Sequence, residues 1–137
     1  MALQIIPFRA SINTAYILKD RGTILVDAGY NDDTKDFSLL LASHQIDPED
    51  IQLILPTHGD FDHAGGAGSL RELTGAKIAL HEKDRDIVEK GIFHWPHGVT
   101  PWGRVSRAML MPFMKNKVCP PPTKVDLVLG DEGMSLK

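Results

Sequence analysis

The spacing of apolar residues predicts three β-strands in the first thirty positions. Short runs rich in β-branched and aromatic residues lie at 3–8, 11–18 and 22–27. The polar tripeptide at 20–22 predicts a hairpin turn between the second and third runs. Ala28-Gly29 then ends the third run with a turn signal.

Helical spacing replaces this pattern after the third strand. Candidate caps at 31–33 precede four residues on one helix face, namely Phe37, Leu40, Leu41 and His44. Asp47-Pro48 predicts one short helical turn, because a cap and a proline at the first helical position favour a helix start. The apolar run at 51–55 that follows predicts a fourth strand.

The same alternation continues to residue 90. Leu70 and Leu73 predict a helix that ends at Gly75, followed by a strand over 77–80. A polar helix is predicted over 82–90, with Asp86 and Lys90 paired one turn apart. The element order predicts an α/β (α+β) domain with a mixed sheet covered by helices.

Residues 91–123 interrupt this order. They hold six of the nine prolines, both tryptophans and four basic side chains. An amphipathic helix is predicted over 104–114. Its Met109, Met111, Met114 and Phe113 are expected to pack in the core or, alternatively, to form an apolar lid that faces the substrate or a dimer surface. We divide the chain into a core half at 1–90, an insertion or lid at 91–123, and the start of a hairpin at 124–137.

The composition and charge of the chain argue against several classes of protein and of partner. Hydrophobic residues make up 42% and charged residues 24% of 137 positions, which is typical of a globular domain and excludes disordered and collagen-like chains. No apolar run approaches the ~20 residues that cross a bilayer. The single cysteine, Cys119, predicts a reducing, cytoplasmic location. The net charge of −3 argues against nucleic acid or an anionic membrane as partner.

The candidate chemistry lies in six residues that follow the fourth strand. Two imidazoles and two carboxylates, those of His58, Asp60, Asp62 and His63, precede a glycine-rich segment. Loops at strand ends commonly carry functional groups, and a divalent cation would compensate the two acids. The alternative is a solvated acidic loop with two ordinary histidines. The density of ligand types favours a metal site.

These residues resemble a known family. Thr57-His58-Gly59-Asp60-Phe61-Asp62-His63 is similar to the His-x-His-x-Asp-His loop of the metallo-β-lactamase-fold hydrolases. The segment at 13–18, the turn at 25–29, the lead at 47–51 and the stretch at 125–133 also resemble that family. The resemblance implies an αββα sandwich, of which this chain represents the first half.

The resemblance also implies roles for individual residues. His58 would belong to a first metal, Asp62 and His63 to a second, and Asp27 would orient the site. The metals would activate a water that attacks an ester, thioester, lactone or similar bond, and Asp62 would orient that water or accept its proton. The implied cofactor is a divalent metal, zinc by family, and the implied substrate is a small molecule.

The sequence departs from the family pattern at two points. Asp60 stands where the family has its second histidine, so an oxygen-rich site with manganese or iron is the alternative to zinc. No residue after His63 matches the later ligands of the family. We interpret His81 as structural or as part of the site rim, and His94 and His97 as loop or lid residues, because Pro96 blocks a helix there.

Two functional hypotheses follow. The first is a metal-dependent hydrolase whose chain is inactive alone, with partial metal occupancy, because later ligands are missing. The second is a non-catalytic half-domain that folds as a homodimer and binds metal weakly or not at all. We expect a homodimer, because the inner face of a single sheet layer would otherwise expose a large apolar patch. The alternatives are a fragment of a longer protein and a chain that is unstable alone.

Overall fold

Six strands form one mixed sheet in the part of the chain that the structure describes. The structure is a computed structural model that describes residues 2–10, 12–30, 34–92 and 99–133, with backbone only at 115–118. The first three strands pair antiparallel and the next three join in parallel. In chain order, which is also their order in the sheet, the strands are β1 (Gln4–Ala10), β2 (Asn13–Lys19), β3 (Thr23–Val26), β4 (Ile51–Leu55), β5 (Lys77–His81) and β6 (Leu127–Leu129).

The helices follow the predicted order, and one short helix at Phe61–Ala64 is added to it. A single 3₁₀ turn at Pro48–Asp50 precedes β4, and the described helices are α1 (Thr34–Ser43), α2 (Phe61–Ala64), α3 (Ala67–Thr74), α4 (Glu82–Lys90) and α5 (Pro101–Val118). The mixed α/β architecture that the sequence predicts is confirmed.

Local signals explain most of the helix ends. Asp47 and Asp50 form a reciprocal capping box around the 3₁₀ turn. Gly75 ends α3 in the left-handed conformation, at φ 74°. The predicted Asp86–Lys90 pair is present at 2.8 Å, and the pKa of Asp86 lies below its usual value because Lys90 donates this hydrogen bond.

The main differences from the predicted elements concern α2, α5 and β6. The helix α2 was not predicted, because a single polar turn carries no apolar periodicity. The helix α5 starts at Pro101 rather than at 104 and continues through Pro112, which costs it one internal hydrogen bond. The strand β6 starts at Leu127 rather than at 124, because the Asp126 carboxylate accepts the hydrogen bond of Ile78 N, at 2.9 Å, in place of a backbone carbonyl.

Helices α1 and α3 cover one face of the sheet. Phe37 and Leu41 of α1 and Leu70 of α3 are at most 1% exposed and pack in one core with Ile17 of β2 and Ile54 of β4. A smaller core joins α4 to the end of β5 through Val88 and Leu80. Burial of these side chains, at roughly 2 kcal/mol each, anchors the strands that carry the candidate site.

The opposite face of the sheet carries two rows of apolar residues that are most exposed on β1 and β2 and become buried towards Leu53, which is 6% exposed. Strand register aligns Ile5, Leu18, Ile24 and Leu53 in one row, and Pro7, Tyr16, Val26 and Leu55 in the next. Ile5 is 57% exposed and Tyr16 is 42% exposed. The first row borders an open groove of about 780 Å³ that also reaches Leu127.

A second exposed apolar surface lies on α5. Met109 is 70% exposed and Phe113 is 78% exposed, so the expectation that these two pack in the core was wrong. Together with Trp102, Val105 and Leu110 they line an open apolar groove of about 420 Å³.

Some predictions fall outside the described residues. These are the helix caps at 31–33, the two histidines His94 and His97, and the end of the terminal hairpin at 134–137. The turn at 130–133 is present, since Gly133 N donates to Gly130 O at 3.1 Å. The division at residues 90 and 123 stays a prediction. Within the described ranges, no helix is both long enough and apolar enough to cross a bilayer.

Candidate metal centre

The candidate site is built where β3 and β4 end side by side. The two strands are parallel, so their carboxyl ends meet at one edge of the sheet. Asp27 follows β3 and Thr57 follows β4 after one proline, which places their side chains in contact. Asp27 has a φ of 63°, a left-handed conformation that aspartate tolerates better than most residues.

The Asp27 carboxylate contacts the loop that follows β4 at Thr57 and at His63. It is buried, at 6% exposure, and one oxygen accepts hydrogen bonds from Thr57 N at 2.7 Å and from Thr57 Oγ1 at 2.9 Å. Its other oxygen lies 3.0 Å from His63 Nδ1. Three donors thus satisfy a charge that would be costly to bury alone.

The Thr57 hydroxyl connects Asp27 to His58. Its oxygen lies 3.0 Å from His58 Nδ1, and its single proton is donated to Asp27. The hydroxyl must therefore accept from His58, which assigns the proton of that imidazole to Nδ1. His63 Nδ1 likewise faces Asp27, so Nε2 is the nitrogen of each histidine that is left for an ion.

Three of the four predicted ligands converge. His58, Asp62 and His63 each present a ligand atom within 4.8 Å of those of the other two. The two imidazole rings lie 4.0 Å apart between centroids, and Asp62 Oδ2 lies 3.7 Å from His63 Nε2. Two imidazoles at this separation, beside a carboxylate, form a donor set that fits a divalent transition metal.

Asp60 lies at the outer rim of this group. Its carboxylate is 3.5 Å from His58 Nε2, and its side chain is 55% exposed compared with 21% for Asp62. Asp60 begins α2, but its side chain makes no capping hydrogen bond there. The carboxylate is therefore available to a cation bound at His58.

Close backbone contacts hold the loop against the turn that follows β3. Ala28 N donates to His63 O at 2.8 Å, and Gly66 N donates to Gly29 O at 2.9 Å. A Cβ at Gly66 would lie 2.3 Å from Ala28 O, so only glycine allows this approach. On the other side, Asp84 of α4 accepts a hydrogen bond from Gly59 N at 3.3 Å.

The sequence patterns assign no individual role to two residues of the site, Thr57 and Asn13. Thr57 belongs to the predicted motif, but the motif does not indicate that its hydroxyl contacts both Asp27 and His58. Asn13 Nδ2, at the start of β2, donates to Asp62 Oδ2 at 2.7 Å and to Asp62 O at 3.1 Å. Asn13 lies 49 positions from its partner, and no spacing rule connects residues so far apart.

The later histidine in the described part lies apart from this group. His81 caps α4 by accepting from Lys83 N through Nδ1, and its Nε2 lies 3.0 Å from Asp131. This agrees with its interpretation as a structural residue. Cys119 is half-buried and unpaired, as expected for the only cysteine of the chain.

Curated proteins similar to the chain come from a bacterium and an archaeon. The chain is 35% identical over 80 residues to the exodeoxyribonuclease WalJ of Streptococcus pneumoniae, covering 58% of this chain and 29% of that protein. It is 32% identical over 84 residues to an uncharacterized protein of Methanocaldococcus jannaschii, covering 58% and 20%. The matches span less than a third of these relatives' length.

Solved structures share the fold. A metallo-beta-lactamase mutant from Cronobacter sakazakii superposes with a TM-score of 0.72 at 18% identity, covering 98% of this chain and 47% of that chain. BJP-1, a subclass B3 metallo-beta-lactamase of Bradyrhizobium japonicum, gives 0.67 at 26% identity, covering 95% and 47%. A family model of the Metallo-beta-lactamase superfamily matches residues 8–136. The protein therefore belongs to the metallo-beta-lactamase superfamily.

Proposed function

We propose that this chain forms the metal-binding loop region of a metal-dependent hydrolase. One observation carries the proposal: the Nδ1 atoms of His58 and His63 lie 3.0 Å from Thr57 Oγ1 and Asp27 Oδ2, and both histidines and Asp62 offer ligand atoms within 4.8 Å of one another. Ligands oriented before binding lose less freedom when the ion arrives.

The chain's own side chains supply the binding and orientation. The resemblance implies two metals, but we propose one ion here because His58, Asp62 and His63 form a single group. His58 and His63 would hold the ion through Nε2 and Asp62 through its carboxylate, with Asp60 able to join from the rim. A divalent ion held there would supply a water nucleophile at neutral pH and polarise the bond to be cleaved. Asp62, or the more exposed Asp60, would then orient that water or accept its proton.

The identity of the metal is a proposal with two alternatives. Zinc is the ion implied by the family, and two imidazoles suit it. The Asp60 carboxylate makes one side of the site richer in oxygen, which favours manganese or iron. We propose zinc first, because His58 and His63 are the best-oriented donors.

The bond that is hydrolysed is proposed at the level of class. An ester, thioester, lactone or similar bond of a small molecule is our first candidate. The 35% identity to a protein named as an exodeoxyribonuclease favours nucleic acid as the second candidate, while the net charge of −3 argues against it.

Turnover by the 137-residue chain alone is expected to be slow or absent. The described residues bring together three ligand side chains and one rim carboxylate, which suffice for one ion but not for two. The convergence of these donors does not favour the non-catalytic alternative.

The cytoplasmic location stays a prediction based on the single cysteine.

Metal titration tests the proposal. We expect the wild-type chain to bind close to one zinc ion per chain in competition with a chromophoric chelator, and the double variant His58→Ala/His63→Ala to lose this uptake. His44→Ala removes an exposed imidazole at the end of α1 and should bind as the wild type does. Equal uptake by the double variant would refute the site.

The two substrate classes are separated by activity assays. Zinc-loaded and manganese-loaded protein would be tested with a thioester, a lactone and single-stranded DNA. Cleavage of DNA alone would overturn our first candidate in favour of the second.

A further inference from the structure

The side-chain amide of Asn13 donates two hydrogen bonds to one residue, Asp62. No other side-chain amide makes such a pair of contacts in the described site. Asn13 Nδ2 donates to the Asp62 carboxylate at 2.7 Å and to the Asp62 carbonyl at 3.1 Å. We infer that Asn13 is a positioning residue that holds Asp62 in the orientation a metal requires. The inference rests on the proposed metal site.

The two-point contact restrains both the backbone and the side chain of Asp62. The carbonyl contact ties α2 to the first residue of β2, and the carboxylate contact restrains rotation of the side chain. With four residues, α2 is too short to hold this geometry by its own hydrogen bonds. The strand therefore supplies the rigidity that the loop lacks.

The same contact fixes the position of one carboxylate oxygen of Asp62 relative to His63. Asp62 Oδ2, which accepts from Asn13, also lies 3.7 Å from His63 Nε2. A hydrogen bond to an ionised carboxylate is stronger than a neutral one, and the oxygen retains a further lone pair for an ion. Asn13 thus fixes the carboxylate oxygen of Asp62 that lies beside the His63 imidazole.

The position of Asn13 in the fold makes this role specific. Asn13 is the first residue of β2 and pairs with Ala10, which is fully buried. Its own strand is anchored by Ile17, also at 0% exposure. A donor on such a strand is fixed by the core, so its loss should change the ligand more than the fold.

The test compares Asn13→Leu with Ser38→Ala, using zinc and cobalt as probes. Asn13→Leu removes both donors in a similar volume, whereas Ser38→Ala removes a 2.9 Å side-chain hydrogen bond inside α1, away from the site. We expect Asn13→Leu to bind zinc roughly 10- to 100-fold more weakly, as for other partners of metal ligands, and to alter the visible spectrum of the cobalt-loaded protein. Ser38→Ala should change neither.

A second measurement does not depend on the variant folding. In NMR spectra of metal-free wild-type protein, both Asn13 side-chain amide protons should exchange slowly and show contacts to Asp62. Fast exchange of both protons, or wild-type zinc affinity in Asn13→Leu, would overturn the inference and leave the metal site standing. Wild-type protein that binds neither zinc nor cobalt would overturn the proposed function together with this role.

Discussion

At the scale of single residues, the site depends on which nitrogen of each histidine carries a proton. Thr57 Oγ1 lies 3.0 Å from Nδ1 of His58 and Asp27 Oδ2 lies 3.0 Å from Nδ1 of His63, which leaves Nε2 of each imidazole for an ion. The Thr57 hydroxyl does this by donating to one partner while accepting from the other. A side chain without a hydroxyl would leave His58 free to rotate or to change tautomer.

Replacing Thr57 tests this point. Thr57→Val keeps the shape of the side chain but removes the hydroxyl, so we expect zinc affinity to fall about tenfold or more while unfolding free energy falls by about 1 kcal/mol. Chelator competition measures the first quantity and urea denaturation the second. Thr57→Ser, which retains the hydroxyl, should stay near wild type; equal loss in both variants would show that the methyl group matters instead.

At the scale of secondary structure, the loop between β4 and α3 is shaped by its contact with the turn after β3. The turn passes directly beneath the loop, and backbone hydrogen bonds at Ala28 and Gly66 join them. Glycine at 66 is required by this distance rather than by an unusual φ, since Gly66 has a φ of −85°. The short helix α2 is therefore a product of this packing.

Adding one methyl group to Gly66 should disrupt this packing. Gly66→Ala would place a Cβ 2.3 Å from Ala28 O and 2.9 Å from Tyr30 O, both backbone atoms that cannot move away cheaply. We expect a loss of about 2 kcal/mol or more in unfolding free energy, with weaker zinc binding. Thermal denaturation measures the change.

Gly130→Ala is the matched control for this variant. A Cβ at Gly130 meets nothing within 4 Å, so the same substitution there should be close to neutral. Equal stability of Gly66→Ala and Gly130→Ala would show that the loop and the turn after β3 do not approach each other as closely as the structure places them.

At the scale of the whole molecule, one face of the sheet is covered by helices and the other is not. Two cross-strand rows of apolar side chains lie on the uncovered face, one of them beginning at Ile5 and the other at Pro7. An apolar surface that spans four strands usually marks an interface. We propose that a second copy of the chain covers it.

Light scattering tests this assembly. The wild-type chain should have the mass of a dimer at micromolar concentration, and Ile5→Asp should shift it towards the monomer, because a charge would be buried in the interface. Leu39→Asp changes a residue of similar exposure, 62% compared with 57%, on α1 and should leave the dimer intact. A wild-type mass of one chain at all concentrations would refute the proposal.

The sequence predicted the elements whose signals are local. The bounds of β4 and α4 matched, the 3₁₀ turn followed its capping residues, and Gly75 ended α3. The errors lie where tertiary contacts override local signals. The turn of α2 has no periodicity, and the start of β6 is moved by an aspartate that replaces a backbone acceptor.

The sequence by itself determined the order of the elements and the chemical types gathered between β4 and α3. Two histidines and two aspartates within six positions indicate a metal site, and their closeness along the chain needs no fold to explain it. Only the tertiary structure decided how these ligands are oriented. Asp27 lies 36 positions from His63 and Asn13 lies 49 from Asp62, and hydrogen bonds of about 3 Å between them exist only because the core places three strands side by side.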